Sequence, residues 1–256
     1  MHSPIAYLRY LYRSKNKHGV HSPFVYALLT KGLKMPIGRE IKLPLEYRKS
    51  LSLDTSVIRV TDFGAGSRVF RSDRRSVSEI ANNAGISKKW GNSLFRLVRY
   101  LQPLSILEIG TSLGISTAYM AAANPKAEII TLEGCPETAG IAIHKFKEFG
   151  LDGVQVVTGD FAVTLPKILR ERSFDMVFMD GNHQKEATLN YFNLCLKTVH
   201  DKSAILLDDI HWSPGMEEAW EEICRHPRVS ISIDMFQWGL LFFRKRQAKQ
   251  HFVLRL

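Results

Sequence analysis

A chain of 256 residues with 45% hydrophobic and 23% charged content has the composition of a globular protein, and its length fits one large α/β domain or a smaller one with an appendage. Its longest apolar runs, such as Ile205-Leu206-Leu207, fall far short of the roughly 20 residues of a spanning helix, and Met1 to Arg9 lacks a signal-peptide core, so neither a membrane-spanning nor a secreted protein is expected. Cys135, Cys195 and Cys224 are odd in number and lie far apart, which argues for a reducing, cytoplasmic setting and against a disulfide framework or a zinc site. The net charge of +10 is uneven: residues 1–100 carry 19 Lys+Arg against 6 Asp+Glu, and residues 101–256 carry 16 against 19. A basic first part suits an anionic partner, or is a solvated face kept for solubility.

In chain order, the first hundred residues read as helices joined by turns. Ser3-Pro4 and Ser22-Pro23 each place a capping hydroxyl before a proline, as at the start of a helix. Ile5, Leu8, Leu11 and Tyr12 follow the first at helical spacing with Arg9 and Arg13 between them; Phe24, Ala27, Leu28 and Leu33 follow the second. Residues 60–67 look like a glycine-rich loop but lead into Arg68, Arg71, Arg74 and Arg75 rather than an apolar helix. They read as a turn beside the site that grips an anion, or as a plain surface loop. Two further helices are predicted near 76–84 and 88–101.

From Pro103 the pattern alternates strand and helix, which predicts a parallel sheet covered on both faces. Strands are expected at 105–109, 128–133, 154–158, 174–180, 204–208, 229–234 and 238–244. Helices are expected between them at 116–123, 136–149, 163–170, 184–199 and 214–226. The link Met235-Phe236-Gln237 is too short for a parallel crossover, so the last two strands form a hairpin. The expected fold is α/β: a seven-stranded, mostly parallel sheet with a final antiparallel strand, plus an N-terminal helical region. Residues 1–100 would form a basic cap or substrate region, and residues 101–256 the sheet domain.

The segment from Glu108 to Thr117 follows a strand and opens a helix, where glycines let the backbone approach a ligand and free amides face it. Its glycines, at 110 and 114 only, do not make the G-x-G-x-x-G of a dinucleotide site. Past Gly114 the next strand ends in Glu133, a carboxylate suited to both ribose hydroxyls. Glu108-x-Gly110-x-x-x-Gly114-x-Ser116 resembles the first motif of the class I S-adenosylmethionine-dependent methyltransferases, in the form seen in the catechol and caffeoyl-CoA O-methyltransferases. Gly159-Asp160-Phe161 and the strand ending at Asp180 are similar to later motifs of that family. The resemblance runs from Pro103 to Arg244 and leaves the first hundred residues unmatched.

The resemblance implies a Rossmann-like fold and S-adenosylmethionine as cofactor, held by Glu108, Gly110, Thr111, Gly114, Ser116, Glu133, Asp160 and Asp180. It implies methyl transfer to an oxygen of a small acceptor, anionic acceptors included. Asp180, His183 and His211 are the candidate catalytic side chains. His183 stands where the family presents a lysine base, and histidine titrates near neutral pH; capping the next helix or touching the cofactor is its alternative role. Asp209 matches a family aspartate that binds a divalent metal, but Ile210 replaces the accompanying asparagine. No metal site is therefore expected, with weak magnesium binding by Asp180 and Asp209 as the alternative. His211 would be a second base or a softer ligand, and Trp212 and Pro214 would shape the substrate wall. An RNA acceptor engaged by the basic region, a non-catalytic S-adenosylmethionine-binding protein, membrane-surface contact through the first helix and a homodimer stay open.

Overall fold

The protein is described by a computed structural model over residues 4–61 and 72–255. Ser3, Gly64 to Ser67, Arg68 and Arg71 therefore lie outside the described residues, and with them most of the expected anion-gripping turn. Helix α1 (Pro4–Arg13) is followed by α2 (Pro23–Ala27), which runs into a π turn at Leu28–Gly32, and by α3 (Lys42–Ser52). Helix α3 is not evident in the sequence because Pro44 interrupts it; proline is tolerated in a first turn, whose amides have no intrahelical partner. A short antiparallel pair, β1 (Val57–Arg59) and β2 (Arg74–Ser76), leads into α4 (Val77–Asn83). Helix α4 starts at a reciprocal cap: the Glu79 amide donates to Ser76 Oγ at 3.2 Å, and the Ser76 amide to Glu79 Oε2 at 3.0 Å. Helix α5 (Lys88–Leu101) buries Leu94, Phe95, Leu97 and Val98, one apolar stripe at helical spacing.

The rest alternates: β3 (Ser105–Ile109), α6 (Ile115–Ala123), β4 (Glu128–Glu133), α7 (Pro136–Glu148), β5 (Val154–Thr158), α8 (Phe161–Glu171) and β6 (Met176–Met179). Then come α9 (Lys185–Leu196), β7 (Ala204–Asp208), α10 (Pro214–Arg225), β8 (Ile231–Asp234), β9 (Trp238–Phe242) and β10 (Gln250–Val253). The sheet has eight strands in the order β10-β8-β9-β7-β6-β3-β4-β5. All seven expected strands form, and β8 and β9 pair as the hairpin that their short link requires. The reversed strand is interior, antiparallel to both β7 and β8. The additional strand, β10, lies parallel to β8 at the edge. Its outer side is stitched to the chain's beginning: the Lys15 amide donates to Val253 O at 2.9 Å, the Arg255 amide to Lys15 O at 3.1 Å, and Tyr10 Oη to Leu254 O at 2.6 Å.

Alternate residues of each strand serve opposite faces. Ile106, Phe178, Leu206 and Leu240 join a core that includes residues of α2, α3, α5 and α6; Leu107, Val177, Leu207 and Leu241 join a second with α8, α9 and α10. Helices α2 to α5 thus share one core with the sheet. Strand β3 pairs with β4 on one side and β6 on the other. Sheet growth reverses there, and in open α/β sheets such a switch point leaves a ligand crevice beyond the carboxyl ends of the strands.

Candidate functional site

That crevice is a cavity of about 750 Å³, well within the range of small-molecule sites. Its floor is the β3–α6 loop. Gly110 adopts φ 105°, and a Cβ there would stand 2.2 Å from the Asp180 carbonyl oxygen, so only glycine lets the tips of β3 and β6 approach. Gly114 (φ 77°) faces the other way, and a Cβ on it would strike the Phe146 ring and the Tyr47 hydroxyl. Tyr47, fully buried on α3, donates to Leu113 O at 2.8 Å and so braces the loop from the N-terminal region.

Glu133, at the tip of β4, lines the cavity, with Oε2 accepting the Ser112 amide at 2.7 Å and Oε1 the Cys135 amide at 2.9 Å. Burial raises its pKa, and these donors oppose the rise. Across the cavity Asp160 caps α8 through the Ala162 amide at 2.8 Å. Asp180 and His183 lie together on the wall, Nε2 to Oδ1 3.6 Å, each about one quarter exposed. Asp208 and Asp209 stand behind them. Burial and the negative charges of Asp208 and Asp209 hold Asp180 well above the usual carboxylate range, and burial followed by Asp209 pushes Asp208 up to about 6. Thr111, Ser116 and Trp212 also line the cavity, while Pro214 opens α10.

Three of the expected site residues, Glu108, Gly114 and His211, lie off the wall of this cavity. Glu108 is fully buried beneath the loop and off the cavity wall, accepting Ser116 Oγ at 2.5 Å, Thr117 Oγ1 at 2.5 Å and Thr131 Oγ1 at 2.6 Å. It shapes the loop rather than meeting a ligand; burial pushes its pKa up to about 7 against those three bonds. The loop amides are also largely spent within the protein. Gly110 and Thr111 both donate to Leu132 O, Ser112 to Glu133, and Gly114 to Thr111 O. The first-turn amides of α6 are those left over for a ligand.

His211 belongs elsewhere. Its Nδ1 lies 3.0 Å from Glu217 and its Nε2 3.0 Å from Asp234, and its ring stacks on Phe236 beside a second cavity. Both nitrogens face carboxylates, which raise its pKa against the lowering effect of burial. Gly114 and Glu108 are likewise off the wall of the main cavity. The sequence reading missed Asn182, Asn190 and Tyr191, and Ile80 and Ile86 from the N-terminal region. The available signal for Asn190 and Tyr191 was their place one helical turn beyond Glu186 and Ala187 on the helix that follows His183.

A divalent metal does not fit this donor set. Ile210 is fully buried in the apolar core, and Gln237 Nε2 donates to Asp208 Oδ1 at 2.8 Å and Asp209 Oδ1 at 2.5 Å. No group of three His, Cys, Asp or Glu among the described residues is disposed to hold a metal ion.

Residues 107–210 match the family model described as a methyltransferase domain. Over 129 residues the chain is 35% identical to a catechol O-methyltransferase of Niastella koreensis, an alignment covering 49% of this chain and 58% of that protein. Over 127 residues it is 33% identical to a catechol O-methyltransferase of Mycobacterium tuberculosis, covering 49% and 56%. The chain thus spans a little over half the length of these curated relatives. A SAM complex of an O-methyltransferase of tomaymycin synthesis from Streptomyces achromogenes superposes with a TM-score of 0.54 at 25% identity, over 62% of this chain and 81% of that one. The SAH-bound methyltransferase of Podospora anserina shares the fold, with a TM-score of 0.61 at 18% identity over 88% and 97%. The strand order, the glycine loop and the sequence match agree: residues 107–210 are similar to a methyltransferase domain and to part of the catechol O-methyltransferases.

Proposed function

We propose that the protein transfers a methyl group from S-adenosylmethionine to a hydroxyl oxygen of a small acceptor. The observation that carries this reading is the shared cavity: the Gly110 loop and Glu133 on one side, Asp180 and His183 on the other. When bound, the cofactor supplies a methyl on a sulfonium sulfur, so a new O–C bond forms as the S–C bond breaks and S-adenosylhomocysteine leaves. Glu133 takes the ribose hydroxyls, and the first turn of α6 with Ser112 receives the amino-acid tail. His183 takes the proton of the acceptor hydroxyl, and the Asp180 carboxylate beside its ring favours the imidazolium that forms. The described wall carries the carboxyl groups of Glu133, Asp160, Asp180 and Glu186 against the guanidinium of Arg75, a balance suited to a cationic cofactor and a neutral acceptor. The names of the relatives support a hydroxylated aromatic acceptor. Helix α4 and the turn to Ile86 roof the cavity, which supports a part in acceptor selection for this portion of the first hundred residues.

The test pairs binding with turnover. Calorimetric titration should show S-adenosylmethionine binding that Glu133→Ala weakens about tenfold or more, the loss of a charge-assisted bond. His183→Ala should keep that binding and lose about a hundredfold or more of methyl transfer to a phenolic panel. No binding by the wild type, or equal binding by Glu133→Ala, overturns the cofactor assignment.

A further inference from the structure

Helix α1 has two unlike faces. Ala6 and Tyr10 are buried, and the Tyr10 ring lies 5.2 Å from that of Phe236, so the helix is fixed to the body. On the other side Ile5, Leu8 and Tyr12 are 68%, 65% and 91% exposed. At 3.6 residues per turn these three fall within an arc of about 60°, roughly opposite the buried pair. Tyr7 is exposed as well, so four of the ten exposed large apolar side chains among the described residues sit on one ten-residue helix. Scattered exposed apolar residues need no explanation; a cluster does.

The sequence around this stripe is cationic. No Asp or Glu occurs before Glu40, whereas Arg9, Arg13, Lys15 and Lys17 follow within or just after the helix. Arg9 borders the apolar arc, and Arg9 and Arg13 line a second cavity of about 490 Å³ in which Glu217, Glu221 and Asp234 stand among the cations. The Arg9 side chain is 63% exposed, and its pair with Glu217 is long, at 4.0 Å. Glu217 is already engaged by His211.

Three occupants can be weighed on these facts. A second copy of the chain would set like charge against like. A polyanion such as RNA accounts for the cations but leaves Ile5, Leu8 and Tyr12 in water. An anionic bilayer surface takes both, the apolar stripe entering the headgroup boundary and the arginines meeting lipid phosphate. No described helix is long and apolar enough to cross a membrane, so contact is with the surface. We propose that α1 is a docking helix that holds the protein on a membrane surface bearing anionic lipid.

The full chain should co-sediment with phosphatidylcholine vesicles containing one quarter phosphatidylglycerol, and not with pure phosphatidylcholine. The triple variant Ile5→Gln, Leu8→Gln, Tyr12→Gln should lower partitioning about tenfold or more while melting like the wild type, because the three side chains are solvent-exposed. Arg9→Gln with Arg13→Gln should lower it about thirtyfold, and added salt should act in the same direction. Three results overturn the proposal: no binding to anionic vesicles at low salt; equal binding by the apolar triple variant, alone or together with tight RNA binding; or a wild-type dimer that the triple variant dissolves while vesicles bind neither protein.

Discussion

Gly110→Ala probes the crevice most directly. A Cβ at this position stands 2.2 Å from the Asp180 oxygen and 2.8 Å from its carbonyl carbon, with φ at 105°. Left-handed strain on an L residue costs about 1–2 kcal/mol, and forcing extra volume into a packed contact costs a similar amount or more. The contact is backbone on backbone, and the adjoining register pairs Ile109 with Met179, so relief requires the tips of β3 and β6 to part. A total of about 3 kcal/mol should lower the melting temperature by about 6–12 °C in a chain of this size, and S-adenosylmethionine binding should weaken with it. Gly140→Ala is the control. It lies in α7 with nothing within 4 Å of its built Cβ, and replacing a glycine inside a helix gains about 0.5–1 kcal/mol. Scanning calorimetry with and without ligand measures both. If Gly110→Ala melts within about 2 °C of the wild type and binds ligand equally well, the strand-tip contact does not shape the site.

Glu108 gives a pH test. Its folded pKa of about 7 exceeds the ordinary value of 4.5, so its contribution to stability is full below 4.5 and is lost as pH rises through 7. Wild type should therefore lose stability relative to Glu108→Gln between pH 5 and pH 8 in urea titrations, and parallel curves would refute the assignment. His211→Gln should cost about 3 kcal/mol, because Asp234 and Glu217 lose their shared partner, yet leave ligand affinity within about twofold, since His211 lies off the main cavity; lost turnover at unchanged stability would return it to the chemistry. Chelation by EDTA should change neither melting nor methyl transfer, and activity restored by magnesium would contradict the misfit at Ile210.

Most of the sheet was legible because its strands are short apolar runs flanked by amphipathic helices, and the Met235–Gln237 link forced the hairpin by its length. Strand β10 escaped because Gln250-His251-Phe252-Val253 follows a basic, polar stretch and lies at an edge, where strong apolar patterning is not required. Glu133, Asp160, Asp180 and His183 could be placed on one cavity because strand order alone brings their positions together. Glu108 could not: its fate depends on hydroxyls at 116, 117 and 131, two of them on a helix and one on the neighbouring strand. His211 shares a segment with Asp209 and Trp212, yet Trp212 turns to the main cavity and His211 to the second one. The turn that divides them follows Asp209, at φ 55°, a backbone state that sequence patterning does not report.

The stitch between Lys15 and residues 253–255 gives the molecule a seam. Strand edges invite pairing with foreign chains, and here the opening stretch of the polypeptide covers that flank of β10. Removing the last six residues would expose β8 and release α1 together, so a clipped C-terminus should produce a protein prone to self-association.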